Sequence, residues 1–183
     1  MTTLSKAILI IFTAAICTFA LRGDICYRII QRKDILTIDV PFLENKTMME
    51  DIAKGTKGMS PEEMVAFCDR YAKRHLSFSL SYPHNDISYY GDDHREHCVG
   101  YADYFSAALS YAFRENGVNG RCIHIRGHLY IGEIVPLLSG RIGRYGSDHD
   151  YVRIEGNVSG IVDPSLDDIL LINPSYHLRN LKR

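Results

Sequence analysis

The chain has 183 residues, of which 46% are hydrophobic and 23% are charged, as is typical of a globular protein with a buried core. Its formal charge is −1 at pH 7 and it has no lysine- or arginine-rich run, which argues against a nucleic acid as partner. The length suits one domain of about 150 residues with an appendage. The five cysteines include no C-x-x-C pair, so their spacing gives no reason to expect zinc.

The N-terminal segment Ala7–Leu21 is apolar and uncharged, with Lys6 before it and Arg22 after it. At about 1.5 Å per residue, a helix of this length is shorter than the roughly 30 Å core of a bilayer. Such a run is typical of a signal peptide or a short anchor. We therefore expect residues 1–22 to export the protein, to the periplasm or outside the cell, or to attach it to a membrane through residues 7–21. If the segment is not cleaved, the positive charges after it favour a cytoplasmic body.

Residues 23–59 are predicted to form an extension and linker before the main domain, residues 60–183. Asp34–Val40 alternates in part and predicts a short strand. Asn45–Gly58 is polar and contains two glycines, which predicts a linker.

Two helices are predicted next. The first covers residues 60–75 and begins with a capping box, Ser60-Pro61-Glu62-Glu63. The second begins at Cys98 and ends at Asn116-Gly117, a C-cap signal. At about 100° per residue, five of its residues share one apolar face: Cys98, Ala102, Phe105, Leu109 and Ala112. Asp103 and Arg114 are predicted to lie on the opposite, solvent-facing side.

Cys98 falls in the first turn of that helix, where unpaired backbone N–H groups and the helix dipole favour a thiolate. A cysteine that only packs in the core has the same local pattern. The residues around Cys98 therefore leave both interpretations open, and partners elsewhere in the chain have to decide between them.

Several segments after the second helix alternate like β strands: Arg121–Arg126, His128–Val135, Asp148–Glu155 and Val158–Val162. A glycine-rich loop, Ser139–Ser147, separates the second and third of them. Two helices followed by closely spaced strands predict an α+β fold, in which the cysteine helix packs on an antiparallel sheet.

His149 and Asp163 fall on two of these strands, which a turn at Gly156-Asn157 joins into a hairpin. If the cysteine helix packs on this sheet, Cys98 meets both side chains. His149 would then take the thiol proton and Asp163 would orient the imidazole, while the helix amide at Cys98 would stabilise an oxyanion.

Four segments of the chain resemble, in order, the motifs of the transglutaminase-like superfamily. They are the cysteine motif Cys98-Val99-Gly100-Tyr101-Ala102, the helix-to-strand step Arg114–Ile123, the histidine strand Asp148–Val152 and the closing segment Ile161-Val162-Asp163-Pro164-Ser165. The resemblance covers roughly residues 60–168. It differs from the family pattern in two ways, since the chain has no tryptophan and Asp150 stands where an alanine is usual.

This resemblance implies a papain-like α+β core in which Cys98 is the nucleophile, His149 the base and then the acid, and Asp163 the orienting residue. It implies an acyl-transfer enzyme acting on amide bonds of a protein or peptide substrate, without a cofactor or a metal. We expect a protease, peptidase or amidase rather than a cross-linking enzyme, because the domain is small and lacks the additional domains of the large cross-linking enzymes.

Two other functions stay open at this point. The fold could serve as a catalytically silent binding module tethered at a membrane, which the missing tryptophans and Asp150 favour. His94 and His97 have an H-x-x-H spacing beside a thiol that could bind a transition metal, although no further ligands are evident. The sequence identifies neither the substrate nor the oligomeric state.

Overall fold

The computed structural model describes residues 30–79, 94–131, 135–136, 148–166, 168 and 176–179. In chain order its elements are β1 (Ile30–Ile38), α1 (Lys46–Thr56), α2 (Pro61–His75), β2 (Leu76–Phe78), β3 (His94–Glu96), α3 (Cys98–Glu115), β4 (Gly120–Ile131), β5 (Val135–Pro136), β6 (His149–Gly156), β7 (Ser159–Val162) and β8 (Tyr176–Arg179). The segment 7–21 and the glycine-rich loop 139–147 lie outside the described residues.

The main sheet has the strand order β1-β4-β6-β7-β8, and β5 pairs with β4 at one end. Every pairing in this sheet is antiparallel. A separate two-stranded sheet joins β2 to β3 in parallel. The predicted α+β fold with an antiparallel sheet is therefore confirmed, and β8 is a strand that the sequence pattern did not predict.

The central strand β4 corrects one prediction, because the sequence was divided into two strands at Gly127. The structure has a single strand over Gly120–Ile131, and Gly127 pairs with Asp34 on one side and with His149 on the other. A Cβ atom on Gly127 would collide with the Lys33 carbonyl oxygen and the Tyr151 side chain. The glycine therefore allows close packing inside a continuous strand.

Helix α1 corrects a second prediction, that of a linker over Asn45–Gly58. Asn45 is its N-cap and accepts a hydrogen bond from the Met48 amide at 3.1 Å. Gly55 does not break the helix, because the Phe67 ring of α2 fills the space that a Cβ atom would need. With β1 in the sheet and α1 packed against α3, residues 30–59 contribute directly to the fold.

Helix α2 begins as predicted. The Ser60 hydroxyl accepts a hydrogen bond from the Glu63 amide at 3.3 Å, and the Glu63 carboxylate accepts one from the Ser60 amide at 2.7 Å. The helix ends at His75, and Met64, Val65 and Cys68 on one side of it are fully buried. This face packs against α3.

Helix α3 lies at the centre of the molecule, in contact with α1, α2, β4 and β6. The apolar face predicted for it is buried except at Cys98, which is half-buried, and Gly117, with φ of +64°, follows its C-terminus as expected. The solvent-facing side is predicted correctly for Arg114 but not for Asp103, which is only 7% exposed. Asp103 is buried because His124 of β4 packs directly against it.

Among the described residues, no helix is long and apolar enough to cross a membrane.

Candidate active site

Cys98 is the first residue of α3, and the histidine before it caps the helix. The Nδ1 atom of His97 accepts a hydrogen bond from the Val99 amide at 3.3 Å. Two residues after the cysteine, Gly100 leaves no room for a Cβ atom, because the buried side chain of Glu96 lies there. Helix α3 can therefore begin close against β3, which fixes the position of the half-buried thiol.

His149 and Asp163 meet at one end of the β6–β7 hairpin. His149 begins β6 and Asp163 directly follows β7, so the antiparallel pairing of the two strands brings them together. The Nε2 atom of His149 lies 2.7 Å from Oδ2 of Asp163, and both side chains are almost completely buried. Ser165 donates a hydrogen bond to the other carboxylate oxygen at 3.1 Å, and Arg32 Nη2 lies 3.9 Å from Oδ2. These contacts fix the carboxylate that orients the imidazole.

His149 and His97 both act on the ionisation of the Cys98 thiol. Burial raises the pKa of the thiol, but the interactions with His149 and His97 outweigh burial and lower the pKa to about 7. The negative charge of Asp150 acts in the opposite direction. Since Asp163 occupies Nε2 of His149, Nδ1 is the ring nitrogen that remains for the thiol.

Burial lowers the pKa of His149, but the charge and hydrogen bond of Asp163, together with Cys98, raise it to about 10. At pH 7 the imidazole is therefore protonated while about half of the Cys98 thiol is ionised. The structure thus brings together all three residues that the sequence singled out, and Cys98 and His149 each favour the charged form of the other. A thiolate is the nucleophilic form of cysteine.

A second buried cluster lies beside the thiol. His124 of β4 lies between two carboxylates, with Nδ1 2.7 Å from Asp103 Oδ1 and Nε2 3.0 Å from Asp150 Oδ1. Arg126 Nε lies 3.3 Å from both oxygens of Asp150. The other oxygen of Asp150, Oδ2, is 3.8 Å from Cys98 Sγ.

The sequence interpretation missed this cluster, apart from noting Asp150 as a departure from the family pattern. The sequence does contain an indication of this cluster, because side chains alternate along a strand and His124 and Arg126 therefore lie on the same face of the sheet. Arg126 pairs directly with Asp150 on β6. The sequence pattern did not indicate that Asp103, on α3, contacts His124 of the same cluster.

The other two described cysteines have a different environment. Cys68 of α2 and Cys122 of β4 are buried free thiols. Burial raises the pKa of Cys68 well above its usual value and raises that of Cys122 to about 12. Cys98 is therefore the only one of the three described thiols that is ionised to any extent at neutral pH.

The two histidines considered as metal ligands, His94 and His97, make other contacts in the structure. His94 Nε2 lies 3.4 Å from Glu96 Oε1, and His97 caps α3. Within the described parts of the chain, no group of three or more His, Cys, Asp or Glu side chains is arranged to hold a metal ion.

A cavity of about 530 Å³ adjoins the carboxylate end of the site. Arg32, which approaches Asp163, lines it together with Arg153 and His177, whereas Cys98 and His149 do not. The cavity is therefore separate from the Cys98 sulfur.

Comparison with known protein families, with curated proteins and with solved structures finds no match to this chain.

Proposed function

We propose that the protein is a thiol-dependent acyl-transfer enzyme of the transglutaminase-like type that acts on amide bonds. The observation that carries this proposal is the His149 imidazole, which Asp163 holds at 2.7 Å, beside the Cys98 thiol at the start of α3. A nucleophile, a proton-transferring base and a group that orients the base are the elements needed for covalent acyl transfer.

In the proposed reaction, the Cys98 thiolate attacks the carbonyl carbon of an amide, and the carbonyl oxygen becomes an oxyanion. The backbone amide at the start of α3 is suited to stabilise this charge. The His149 imidazolium then gives its proton to the amine nitrogen as the C–N bond breaks, which leaves an acyl group on the sulfur. His149, now neutral, takes a proton from the incoming water or amine, which attacks the acyl group and releases the thiolate.

The molecule that takes the acyl group from Cys98 distinguishes two kinds of enzyme. Water as acceptor gives a protease, peptidase or amidase, and an amine as acceptor gives a cross-linking enzyme. Protein or peptide amides are the proposed substrates, and no step in this reaction requires a cofactor or a metal.

The first test identifies the nucleophile. The full chain is treated with an activity-based probe for reactive cysteines, and the labelled peptide is identified by mass spectrometry. We expect labelling at Cys98, loss of labelling in Cys98→Ser, and normal labelling in the matched control Cys68→Ala. Labelling that persists in Cys98→Ser would contradict the proposal.

The second test measures turnover on a generic protein substrate such as casein. Ammonia release, peptide release and incorporation of a fluorescent amine are followed in parallel for the wild-type chain and Cys98→Ala. Activity in any of the three assays that depends on Cys98 supports an enzyme, and their ratio identifies the acceptor.

The alternative is a catalytically silent binding module with the same fold, and the carboxylate of Asp150 close to the sulfur favours it. A module of this kind would bind protein substrates equally well in wild type and Cys98→Ala and would show no Cys98-dependent turnover. The second test therefore distinguishes the two functions.

We further propose that residues 7–21 direct export or attach the protein to a membrane. N-terminal sequencing of the protein recovered from each cell fraction tests this. Export with cleavage gives a mature N-terminus near residue 21, anchoring gives an intact N-terminus in the membrane fraction, and an intact soluble protein would contradict both.

A further inference from the structure

Asp150 and His124 form a buried charged pair that reaches the reacting sulfur without belonging to the Cys98–His149–Asp163 triad. Asp150 Oδ2 lies 3.8 Å from Cys98 Sγ, within hydrogen-bonding distance for a thiol donor, and Asp150 Oδ1 lies 3.0 Å from His124 Nε2. Asp150 is 2% exposed and His124 is completely buried. Water therefore does little to screen the effect of these groups on the sulfur.

The charges around His124 balance when its ring is protonated. Asp103 and Asp150 supply two negative charges, and Arg126, at 3.3 Å from Asp150, supplies one positive charge. A protonated His124 supplies the second. Burial lowers the pKa of His124, but its two carboxylate partners raise it overall, while His124 and Arg126 hold the pKa of Asp150 below its usual range despite burial.

The thiol therefore has charged neighbours of opposite effect. The interactions with His149 and His97 favour the thiolate, whereas the carboxylate of Asp150 opposes it. His124 acts on the sulfur through Asp150, because a cation beside Oδ1 withdraws negative charge from the neighbourhood of Oδ2.

We propose that Asp150 is a second group acting on Cys98, which accepts a hydrogen bond from the thiol and opposes its ionisation, and that His124 is a positioning residue that limits this opposition. The inference rests on the proposed function, in which Cys98 is the nucleophile, and it concerns the regulation of that same site. Two histidine–aspartate pairs then set the ionisation of one thiol, His149–Asp163 in favour of it and Asp150–His124 against it.

The test measures the ionisation of Cys98 directly. The rate of iodoacetamide alkylation is followed from pH 5 to pH 10 in the full chain, with the Cys98 peptide quantified by mass spectrometry. The midpoint is the pH at which the alkylation rate reaches half of its maximum. Asp150→Asn removes the opposing charge and should lower this midpoint by about one pH unit. His124→Gln removes the compensating cation and should raise it, by about half a unit or more.

The matched control is Glu155→Gln, which removes an exposed carboxylate at the far end of the same strand and should leave the midpoint unchanged. An unchanged midpoint in Asp150→Asn would overturn the proposal, and so would shifts in the same direction in both cluster variants. A purely structural role predicts lower stability in both variants without opposite shifts in the midpoint.

A measurement on the wild-type chain covers the case in which the buried variants do not fold. The ring nitrogens of His124 are followed by NMR through the pH range in which Cys98 is alkylated. A ring that stays protonated throughout supports the proposal, and a neutral ring at pH 7 overturns it. Because neither measurement requires turnover, failure of this inference is distinguishable from failure of the proposed enzyme activity.

Discussion

Cys98 and Cys68 lie on neighbouring helices of one core, yet their thiols have opposite properties. Cys68 is completely buried in α2, where burial alone dominates and raises its pKa. Cys98 is half-buried, begins α3 and has His149 beside it, and its pKa falls to about 7. Burial without a positive partner therefore makes a thiol inert, and a fixed positive partner makes a half-buried thiol reactive.

The largest effect that we predict is the difference in reactivity between these thiols. At pH 7 about half of Cys98 is ionised, whereas Cys122, with a pKa of about 12, is almost entirely protonated. We expect iodoacetamide to alkylate Cys98 at least about a thousandfold faster than Cys68 or Cys122 in the native protein. Site-resolved mass spectrometry measures this, and equal rates for Cys98 and Cys68 would remove the basis of the comparison.

The next largest effect is expected on removing the positive partner. His149→Gln keeps a side chain of similar length beside Asp163 but carries no charge, so the pKa of Cys98 should rise to about 9 or higher. The alkylation rate at pH 7 should then fall about 50-fold, and the pH midpoint should move up by about two units. The matched control His177→Gln alters an exposed histidine on β8 and should change neither value.

A smaller effect on ionisation is expected for the orienting carboxylate. Asp163→Asn removes the charge that raises the pKa of His149, so the imidazolium becomes less stable and the thiolate loses part of its support. We expect the alkylation rate at pH 7 to fall about fivefold to tenfold. Turnover should fall further, by about a hundredfold or more, because the ring also loses its orientation. An unchanged pH profile would contradict the role assigned to Asp163.

The smallest effect on the ionisation of Cys98 is expected when the buried thiol of Cys68 is removed. Cys68→Ala removes one buried sulfur from the core between α2 and α3 and should lower the free energy of unfolding by about 1 kcal/mol. Chemical denaturation measures this loss. The pH midpoint of Cys98 alkylation should not move, and a shift would show that the two thiols are coupled.

The sequence predicted best those features that depend on neighbouring residues. The capping box at Ser60 and the helix end at Gly117 are local, and both are confirmed. Cys98, His149 and Asp163 were also found, because a resemblance to a known family and a short hairpin supplied the long-range information. Their catalytic role stays a prediction.

The features that were predicted wrongly depend on contacts between distant residues. Asp103 was placed in solvent because α3 was treated as a surface helix, although β4 covers that side of it. Gly55 and Gly127 were interpreted as breaks because their packing partners, the rings of Phe67 and Tyr151, are far away in the sequence. No local pattern carries that information, so glycines that allow close packing look like glycines that end an element.

Strand β6 places His149 and Asp150 side by side, and neighbouring residues of a strand point to opposite faces of the sheet. One face meets Asp163 and the other meets His124. A one-residue slip of β6 along β4 would turn each of these side chains to the opposite face, so that His149 would lose Asp163 and Asp150 would lose His124. The eight-residue register between these strands, from Gly120 opposite Gly156 to Gly127 opposite His149, therefore keeps both charged groups with the partners that support them. Insertions before β6 should be tolerated only when this alignment is kept.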